Sequence, residues 1–412
     1  KSNYNNLQKE EINKMDKAAK INEDIFWVGV NDRETDLFES LWPLPKGVSY
    51  NSYLLIDDKT VLIDTVKIDF HERYLEKIQN LLGDRKLDYL IINHMEPDHS
   101  GSIKAIKRNF PEVKIIGNQK TINFIEGFYD VDQGFKIIED GDELNLGKHT
   151  LKFYLTPMIH WPETMMTYDQ TDNVLFAGDA FGSFGALDGG IFDDEINEHF
   201  FDSEIRRYFS NIVGKYSPMV QKALKRLQDL NIDIIASTHG PVWRENPEYI
   251  INKYDKLSSQ DTDNGVVIVY GSMYGNTKII AEKIARSLAD NGIKEIKMHD
   301  AARTDNSYMI SDIWKYKGLI IGSCAYNTKI FPPVGSLVDA LINRKLQNHL
   351  LGIFGTYSWS GGGVDRLKEF KEDCNLDLIE PVIENKFAPK DEALDKSTLL
   401  GKNMAERILK IK

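Results

Sequence analysis

Short apolar stretches alternate with turn residues over Ile25–Ile63, in runs such as FWVGV, SYLLI and TVLI, which is typical of strands. A helical pattern follows over His71–Leu82, and a continuous apolar run, LDYLIIN, ends at Asn93. Further strands are predicted at VKIIG, HTLKFYLT, NVLFAG and IDIIAST, with helices over Asp202–Val213 and Ser217–Leu230. Clustered strands with helices between them indicate a sandwich of sheets flanked by helices.

The polar stretch Tyr254–Asn264 lacks periodicity and separates this half of the chain from a more regular one. Beyond it, the strands GVVIVYGS, EIKMHD, GLIIGS and LLGIFGTY alternate with helices predicted at Thr277–Asn291, Tyr308–Trp314, Pro333–Asn343 and Val364–Cys374. Such alternation predicts a parallel, doubly wound sheet of strand order 2-1-3-4-5. We therefore expect an α/β protein with two domains, at residues 1–257 and 264–412.

The composition of the chain argues against several classes of partner and of protein. The chain has 412 residues, with 51 basic and 63 acidic side chains and a net charge of −12. Such a charge disfavours nucleic acid and anionic membranes as partners. The first residues carry no apolar signal segment, and no apolar run approaches the ~20 residues of a membrane span. With only Cys324 and Cys374, a disulfide framework is excluded, so we expect a soluble protein of the reducing cytoplasm.

Side chains that can bind metal follow several predicted strands. His94, Glu96, Asp98 and His99 come directly after LDYLIIN, within six residues of sequence. Three more such residues stand where other strands stop, namely His160 after LKFYLT, Asp179 after NVLFAG and His239 after IDIIAST. Because strand ends converge at one edge of a sheet, we expect these side chains to form one site.

The donor set is four histidines, two aspartates and one glutamate. Seven protein ligands are too many for one tetrahedral zinc ion but suit two metals that share a carboxylate. Nitrogen and oxygen donors without a thiolate leave iron, manganese and zinc open.

A second candidate site lies in the second half, where Gly271–Thr277 joins the first parallel strand to a helix. Hydroxyl groups and backbone N–H groups at a helix N-terminus form a cradle for a phosphate. The segment matches neither the dinucleotide nor the P-loop pattern. Two further loops, Cys324–Asn327 and Gly355–Gly362, follow the third and fourth strands at the switch point of the sheet. In these loops Tyr357 and Trp359 offer flat faces for a flavin ring.

Together the two halves resemble the flavodiiron proteins, or A-type flavoproteins. In the first half, the resemblance rests on the motifs HMEPDH, HWPETM and GDAFG, which are typical of a metallo-β-lactamase-like αββα sandwich, and on Asp64 in the first motif of that fold. In the second half, it rests on the three flavodoxin-like loops. Hydrolases of this fold carry histidine where this chain has Glu96. A carboxylate there stabilises ferric iron and suits redox chemistry better than hydrolysis.

The resemblance implies a non-haem di-iron centre. His94, Glu96 and His160 would bind one iron, Asp98, His99 and His239 the other, and Asp179 would bridge them. In some members of the family the histidine that matches His160 is not bound.

Tyr208 matches a tyrosine near the metals of the family, able to hydrogen-bond a bound intermediate. An equally simple interpretation makes it a core residue of a helix. Family members often carry a histidine beside the substrate pocket, in the loop before the segment YNSYL, and here Pro45 stands near that place.

The resemblance also implies FMN in the second domain. The residues expected to bind it are Ser272, Met273, Tyr274, Gly275, Asn276, Thr277, Ser323, Ala325, Tyr326, Asn327, Thr356, Tyr357, Ser358, Trp359, Gly361 and Gly362.

The expected function is that of a flavodiiron oxidoreductase, which reduces dioxygen to water, nitric oxide to nitrous oxide, or both. The four cysteines of a rubredoxin-like extension are absent, so the expected electron donor is a separate rubredoxin or a similar small carrier. The resemblance implies a head-to-tail homodimer, or a dimer of dimers, in which the flavin of one chain serves the irons of its partner. The alternatives are a zinc-dependent hydrolase with an appended flavodoxin module, and an electron carrier or oxygen sensor without turnover.

Overall fold

In the computed structural model the chain is described over residues 18–411, except for the side chains of residues 198 and 199. The described chain divides into two compact units. The first ends at Asp255 but leaves out Phe209–Ser217, which groups with the second unit from Lys256 onwards. The sequence analysis did not anticipate that segment, and its two domain ranges stay a prediction.

The first unit is built on two sheets, whose strands are numbered in chain order. One sheet has the order β1-β2-β7-β8-β9-β10-β11, with strands Ala19–Lys20, Ile25–Trp27, Tyr53–Ile56, Thr60–Ile63, Tyr89–Ile91, Lys114–Gly117 and Phe135–Ile137. The other has the order β12-β13-β14-β15-β16, with strands Glu143–Asn145, Thr150–Leu155, Met165–Asp169, Val174–Gly178 and Ile234–Ser237. Tyr53 and Phe176, one from each sheet, pack with ring centroids 5.3 Å apart. The two sheets therefore share a core, as the sequence predicted.

This unit also has two short antiparallel pairs of strands. In one pair β3 (Val30–Asp32) lies beside β6 (Val48–Tyr50), and in the other β4 (Leu37–Phe38) lies beside β5 (Trp42–Pro43). The helices are His71–Leu82, Pro97–Ser100, Ile103–Asn109, Gln119–Tyr129, Glu198–Tyr208, Ser217–Leu227 and Pro247–Ser258, with 3₁₀ turns at Ile68–Phe70 and Asp193–Glu195. The first of these helices begins and ends where its apolar periodicity predicts.

The second unit has one parallel sheet of order β18-β17-β19-β21-β22, with β20 paired antiparallel to β19. Its strands are Asp263–Gly271, Ile296–Asp300, Tyr316–Tyr326, Lys329–Ile330, Leu350–Tyr357 and Asp377–Lys386 for β17 to β22. Its helices are Asn276–Asp290, Asn306–Lys315, Pro332–Asn343, Gly363–Asp373 and Asp391–Leu409. This is the predicted 2-1-3-4-5 order, and the α/β fold class is confirmed.

The prediction that Tyr254–Asn264 is a polar linker without regular structure was wrong in part. The helix Pro247–Ser258 covers its first residues, and β17 begins at Asp263. Tyr254 and Leu257 are both buried, so the stretch has an apolar helical face that its many polar residues conceal.

The segment that joins the second unit begins with a π-helical turn at Phe209–Val213, followed by a 3₁₀ turn at Gly214–Tyr216. The Arg344 guanidinium donates to the backbone oxygens of Ser210, at 2.9 Å, and of Asn211, at 3.0 Å. These charged hydrogen bonds to backbone carbonyl groups hold the segment against Arg344, which belongs to the second unit. Among the described helices, none is both long and apolar enough to cross a bilayer.

In the first unit, the buried side chain of His149 contacts two carboxylates, those of Asp24 and Asp169. His149 Nδ1 lies 2.8 Å from an oxygen of Asp169, and Nε2 lies 3.1 Å from an oxygen of Asp24. Burial lowers the pKa of His149, but the hydrogen bonds to these two carboxylates outweigh it and raise the pKa to about 9. The protonated ring therefore stabilises the folded state below the unfolded-state pKa of about 6.5, and this contribution is lost as the pH rises through 9.

The free energy of unfolding of the first unit should accordingly fall between pH 6 and pH 9.5, with a contribution from His149 on the order of 2 kcal/mol after solvent screening. Urea denaturation of the metal-free chain at both pH values measures it. His149→Gln should be less stable than wild type at pH 6 and should lose less stability at pH 9.5. An equal loss in both proteins would contradict the role of His149.

Candidate metal centre and flavin site

The structure brings all seven sequence-predicted metal ligands together in the first unit. Their ligand atoms form two groups, each within 4.8 Å, composed of His94, Glu96, His160 and Asp179, and of Asp98, His99 and His239. Asp179 and His239 closely follow β15 and β16, His94 and Glu96 lie in the loop after β9, Asp98 and His99 lie in the helix Pro97–Ser100, and His160 lies in the loop between β13 and β14. The segments that follow these four strands therefore bring the seven side chains together. All seven side chains lie mostly or fully in the interior.

Asp179 lies between the two groups, with one oxygen toward each. Its Oδ2 is 3.1 Å from His160 Nε2 and 3.5 Å from His94 Nε2. Its Oδ1 is 3.0 Å from His99 Nε2 and 3.8 Å from His239 Nε2. A carboxylate in this orientation can bridge two cations, one on each side.

The remaining carboxylates divide between the same two groups. Glu96 Oε2 is 3.1 Å from His160 Nε2 and 3.4 Å from His94 Nε2. Asp98 Oδ2 is 3.3 Å from His99 Nε2 and 3.4 Å from His239 Nε2. Ligands about 2.1 Å from one ion lie about 3.0–3.4 Å from one another, which is the spacing seen here.

Several buried ligand atoms have no hydrogen-bond partner within the described structure: His94 Nε2, Glu96 Oε2, Asp98 Oδ1 and Oδ2, His99 Nε2 and His239 Nε2. Leaving such atoms unpaired in the interior is costly unless a cation satisfies them. The donor set therefore fits two metal ions.

Neighbouring groups orient the candidate ligands. His94 Nδ1 lies 2.9 Å from Glu163 Oε1, which also accepts from the backbone N–H of Met95. His239 Nδ1 lies 2.7 Å from the Ser49 carbonyl oxygen, and the Thr238 hydroxyl donates to Asp179 Oδ1 at 2.6 Å. Since these contacts engage Nδ1 of both histidines, they leave Nε2 free for a metal. The sequence analysis missed Glu163, although it lies in the motif HWPETM.

Tyr208 is fully buried, and its ring centroid lies 5.4 Å from that of His239. Its hydroxyl has no hydrogen-bond partner in the described structure. Burial raises the pKa of Tyr208, and Asp179 adds to the rise, so the hydroxyl keeps its proton. The position is compatible with both interpretations of this residue.

A cavity of about 840 Å³ opens beside the cluster and reaches Glu96 and Asp98. The loop before YNSYL contributes Glu39 to its lining, whereas Pro45 is exposed and does not line it. Leu37, Phe38 and Ser40 of the same loop also line the cavity, and Glu39 is a titratable residue there that the sequence analysis did not name. Glu39 is exposed at the edge of the cavity, where partial desolvation and the negative charge of Glu96 raise its pKa to about 7.

The second unit carries a cavity of about 330 Å³ at the switch point of its sheet. Twelve of the predicted flavin-binding residues line it: Ser272, Met273, Tyr274, Asn276, Thr277, Ala325, Tyr326, Asn327, Thr356, Tyr357, Ser358 and Trp359. The cavity is also lined by Cys324, Thr328, Ser360 and Phe387, which are not among the residues predicted to bind the flavin. Phe387 follows β22, a strand in which charged residues obscure the alternation of apolar and polar positions.

Four predicted residues do not line the cavity but shape its loops. Gly275 and Gly362 have φ angles of 92° and 107°, where a side chain is strained. A Cβ at Gly361 would lie 2.6 Å from Glu384 Oε1. Ser323 accepts from the Phe331 backbone N–H at 3.0 Å. Their contribution is to the backbone of the loops rather than to the lining of the cavity.

The comparisons with known proteins cover both units. Residues 48–240 match the family described as ODP family beta lactamase, and residues 268–400 match flavodoxin. An anaerobic nitric oxide reductase flavorubredoxin of Escherichia coli is 32% identical over 94% of this chain and 82% of its own length. The chain belongs to the flavodiiron protein family. An uncharacterised protein of Methanocaldococcus jannaschii is 35% identical over 94% of this chain and 98% of its own length.

Solved structures of flavodiiron proteins share the fold. Rubredoxin oxygen:oxidoreductase of Desulfovibrio gigas superposes with a TM-score of 0.92 at 29% identity, covering 95% of this chain and 99% of that one. The flavodiiron protein of Giardia intestinalis gives a TM-score of 0.91 at 27% identity, covering 95% and 97%. FMN and a di-iron centre are the cofactors of this family, and the chain has a matching candidate site for each.

Replacing Glu163 with glutamine keeps the size of the side chain but removes the charge that orients His94. We expect iron binding to weaken about 10- to 100-fold, measured by competition with a chelator. Glu126→Gln, at an exposed position of the first unit, should bind iron like wild type. Unchanged affinity in Glu163→Gln would contradict the orienting role.

Trp359 is 83% exposed at the edge of the second cavity. Trp359→Ala should weaken FMN binding by about 1–2 kcal/mol if the indole stacks on the flavin, with no change in iron content. Fluorescence titration of the apoprotein with FMN measures the affinity. Leu399→Ala, which also removes an exposed apolar side chain from this unit, serves as the control. An FMN affinity equal to that of wild type would count against the stacking.

Proposed function

We propose that this flavodiiron protein reduces dioxygen to water, nitric oxide to nitrous oxide, or both, at the histidine–carboxylate cluster of its first unit. The proposed electron path runs from rubredoxin, or a similar small carrier, through FMN in the second unit. The observation that carries the proposal is Asp179, whose two oxygens face two separate groups of candidate ligands. The relatives named as nitric oxide reductase and as rubredoxin oxygen:oxidoreductase support it.

His94, Glu96 and His160 would hold one iron, Asp98, His99 and His239 the other, and Asp179 both. When bound, paired iron supplies one-electron redox steps and adjacent positions for small diatomic molecules. The protein's part is to hold these ligands in a buried frame. The cavity beside Glu96 and Asp98 supplies a route for a small substrate.

The redox proposal is favoured over the zinc hydrolase by Glu96. This carboxylate joins one group of ligands together with Asp179, so that group holds two negative side chains and two imidazoles. Such a set favours the more highly charged ferric state. Family membership supports the same choice. We also propose the head-to-tail homodimer, which rests on the family resemblance, and a cytoplasmic location, which rests on cysteine usage.

The test is anaerobic reduction of the chain reconstituted with FMN and iron, followed by timed addition of each gas. Reoxidation of the flavin spectrum should accompany formation of water or nitrous oxide, and metal analysis should give two irons per chain. Asp179→Asn should lose iron and turnover but retain FMN. Two zinc ions per chain without gas reduction would support the hydrolase, and iron with FMN but without turnover would support a carrier or sensor. Sedimentation of the same sample tests the dimer.

A further inference from the structure

The hairpin formed by β4 and β5 carries a glutamate to the cavity beside the metal cluster. This cavity is lined by three carboxylate side chains, Glu39, Glu96 and Asp98, and by three cationic ones, Lys67, Lys104 and Arg108. Glu39 Oε2 accepts a hydrogen bond from Trp42 Nε1 at 3.0 Å. A third carboxyl group thus lies beside two that are candidate metal ligands.

The backbone at this position is strained. Glu39 and Ser40 have φ angles of 50° and 57°, in the left-handed region that glycine and asparagine adopt most readily. Strained conformations persist where the surrounding structure enforces them, and they are often found at functional sites. The chain thus holds a glutamate at a turn position that disfavours it.

Packing fixes the hairpin in place. The Phe38 ring lies 5.4 Å, centroid to centroid, from both Phe184 and His239. The Arg207 guanidinium donates to the Pro43 backbone oxygen at 2.8 Å. Both sides of the turn are thus anchored within the first unit, which holds the backbone of Glu39 beside the cavity.

A carboxylate fixed beside an open cavity acts on charged and uncharged ligands differently. Next to Glu96, Glu39 opposes the attraction that the three cationic side chains of the cavity exert on an anion, whereas an uncharged diatomic molecule is little affected. At an effective dielectric constant of about 20, one unit charge at about 5 Å is enough to change anion affinity by tenfold or more.

We propose that Glu39 is a specificity-determining residue of the metal site, which disfavours anionic ligands next to Glu96 and so favours neutral diatomic molecules. This inference rests on the proposed function, because it presupposes iron at the cluster. It adds a residue that is neither a predicted metal ligand nor part of the flavin site.

The test uses azide as an anionic probe of the iron-loaded, oxidised full chain at pH 8. Azide binding is followed by its charge-transfer absorption with iron, and iron content is measured separately. Glu39→Gln should bind azide on the order of tenfold more tightly than wild type, with unchanged iron content. Glu39→Asn should do the same, and because asparagine tolerates the left-handed backbone it guards against misfolding. Glu34→Gln, at an exposed position near the same hairpin, should match wild type.

An azide affinity within twofold of wild type in both Glu39 variants would overturn the proposal. Loss of iron from both variants would also overturn it, because Glu39 would then hold the metal itself. An equal gain in Glu34→Gln would assign the effect to net charge rather than to Glu39. If wild type binds no iron, the proposed function fails and this inference with it, an outcome that iron analysis separates from the others.

Discussion

The first unit depends on a buried carboxylate that must be neutralised from two sides. Asp179 is 1% exposed, and an isolated ionised group in the interior costs several kcal/mol. Four imidazoles surround it, with the nearest nitrogens at 3.0 and 3.1 Å. Because these histidines come from distant parts of the chain, the strands that carry them must end at the same edge of the sandwich. Folding and metal binding therefore both require that these strands end at the same edge.

A layer of hydrogen bonds around the ligands makes the arrangement specific. Glu163 and the Ser49 carbonyl hold Nδ1 of two histidines, and Thr238 holds the shared carboxylate. Glu163 and Thr238 stand in loops beside the strands rather than in the strands themselves. The sheets thus supply the position of each ligand, while mainly the loops supply its orientation.

The candidate flavin site of the second unit is built differently. Its cavity lies at the ends of three parallel strands. The hydroxyls of Thr277, at the start of the helix Asn276–Asp290, and of Thr356, near the end of β21, lie 2.7 Å apart. Glycines such as Gly362 allow the backbone conformations that the loops of this site need. This cavity therefore offers backbone groups and aromatic faces, and none of its lining residues is charged.

The sequence by itself determined the features that depend on local spacing, and the tertiary structure decided which distant segments meet. Alternating apolar residues predicted most strands, and the strand–helix alternation of the second half predicted its sheet order. Both predictions succeed because strand ends, turns and helix starts depend on residues that are close together in the sequence. In contrast, Glu163 and His94 are 69 residues apart, and the grouping of Phe209–Ser217 with the second unit depends on Arg344, more than a hundred residues away. Glu39 reaches its cavity through a hairpin too short to recognise from its pattern. Contacts of this kind arise from packing free energy summed over the whole fold, and no local pattern of residues encodes them.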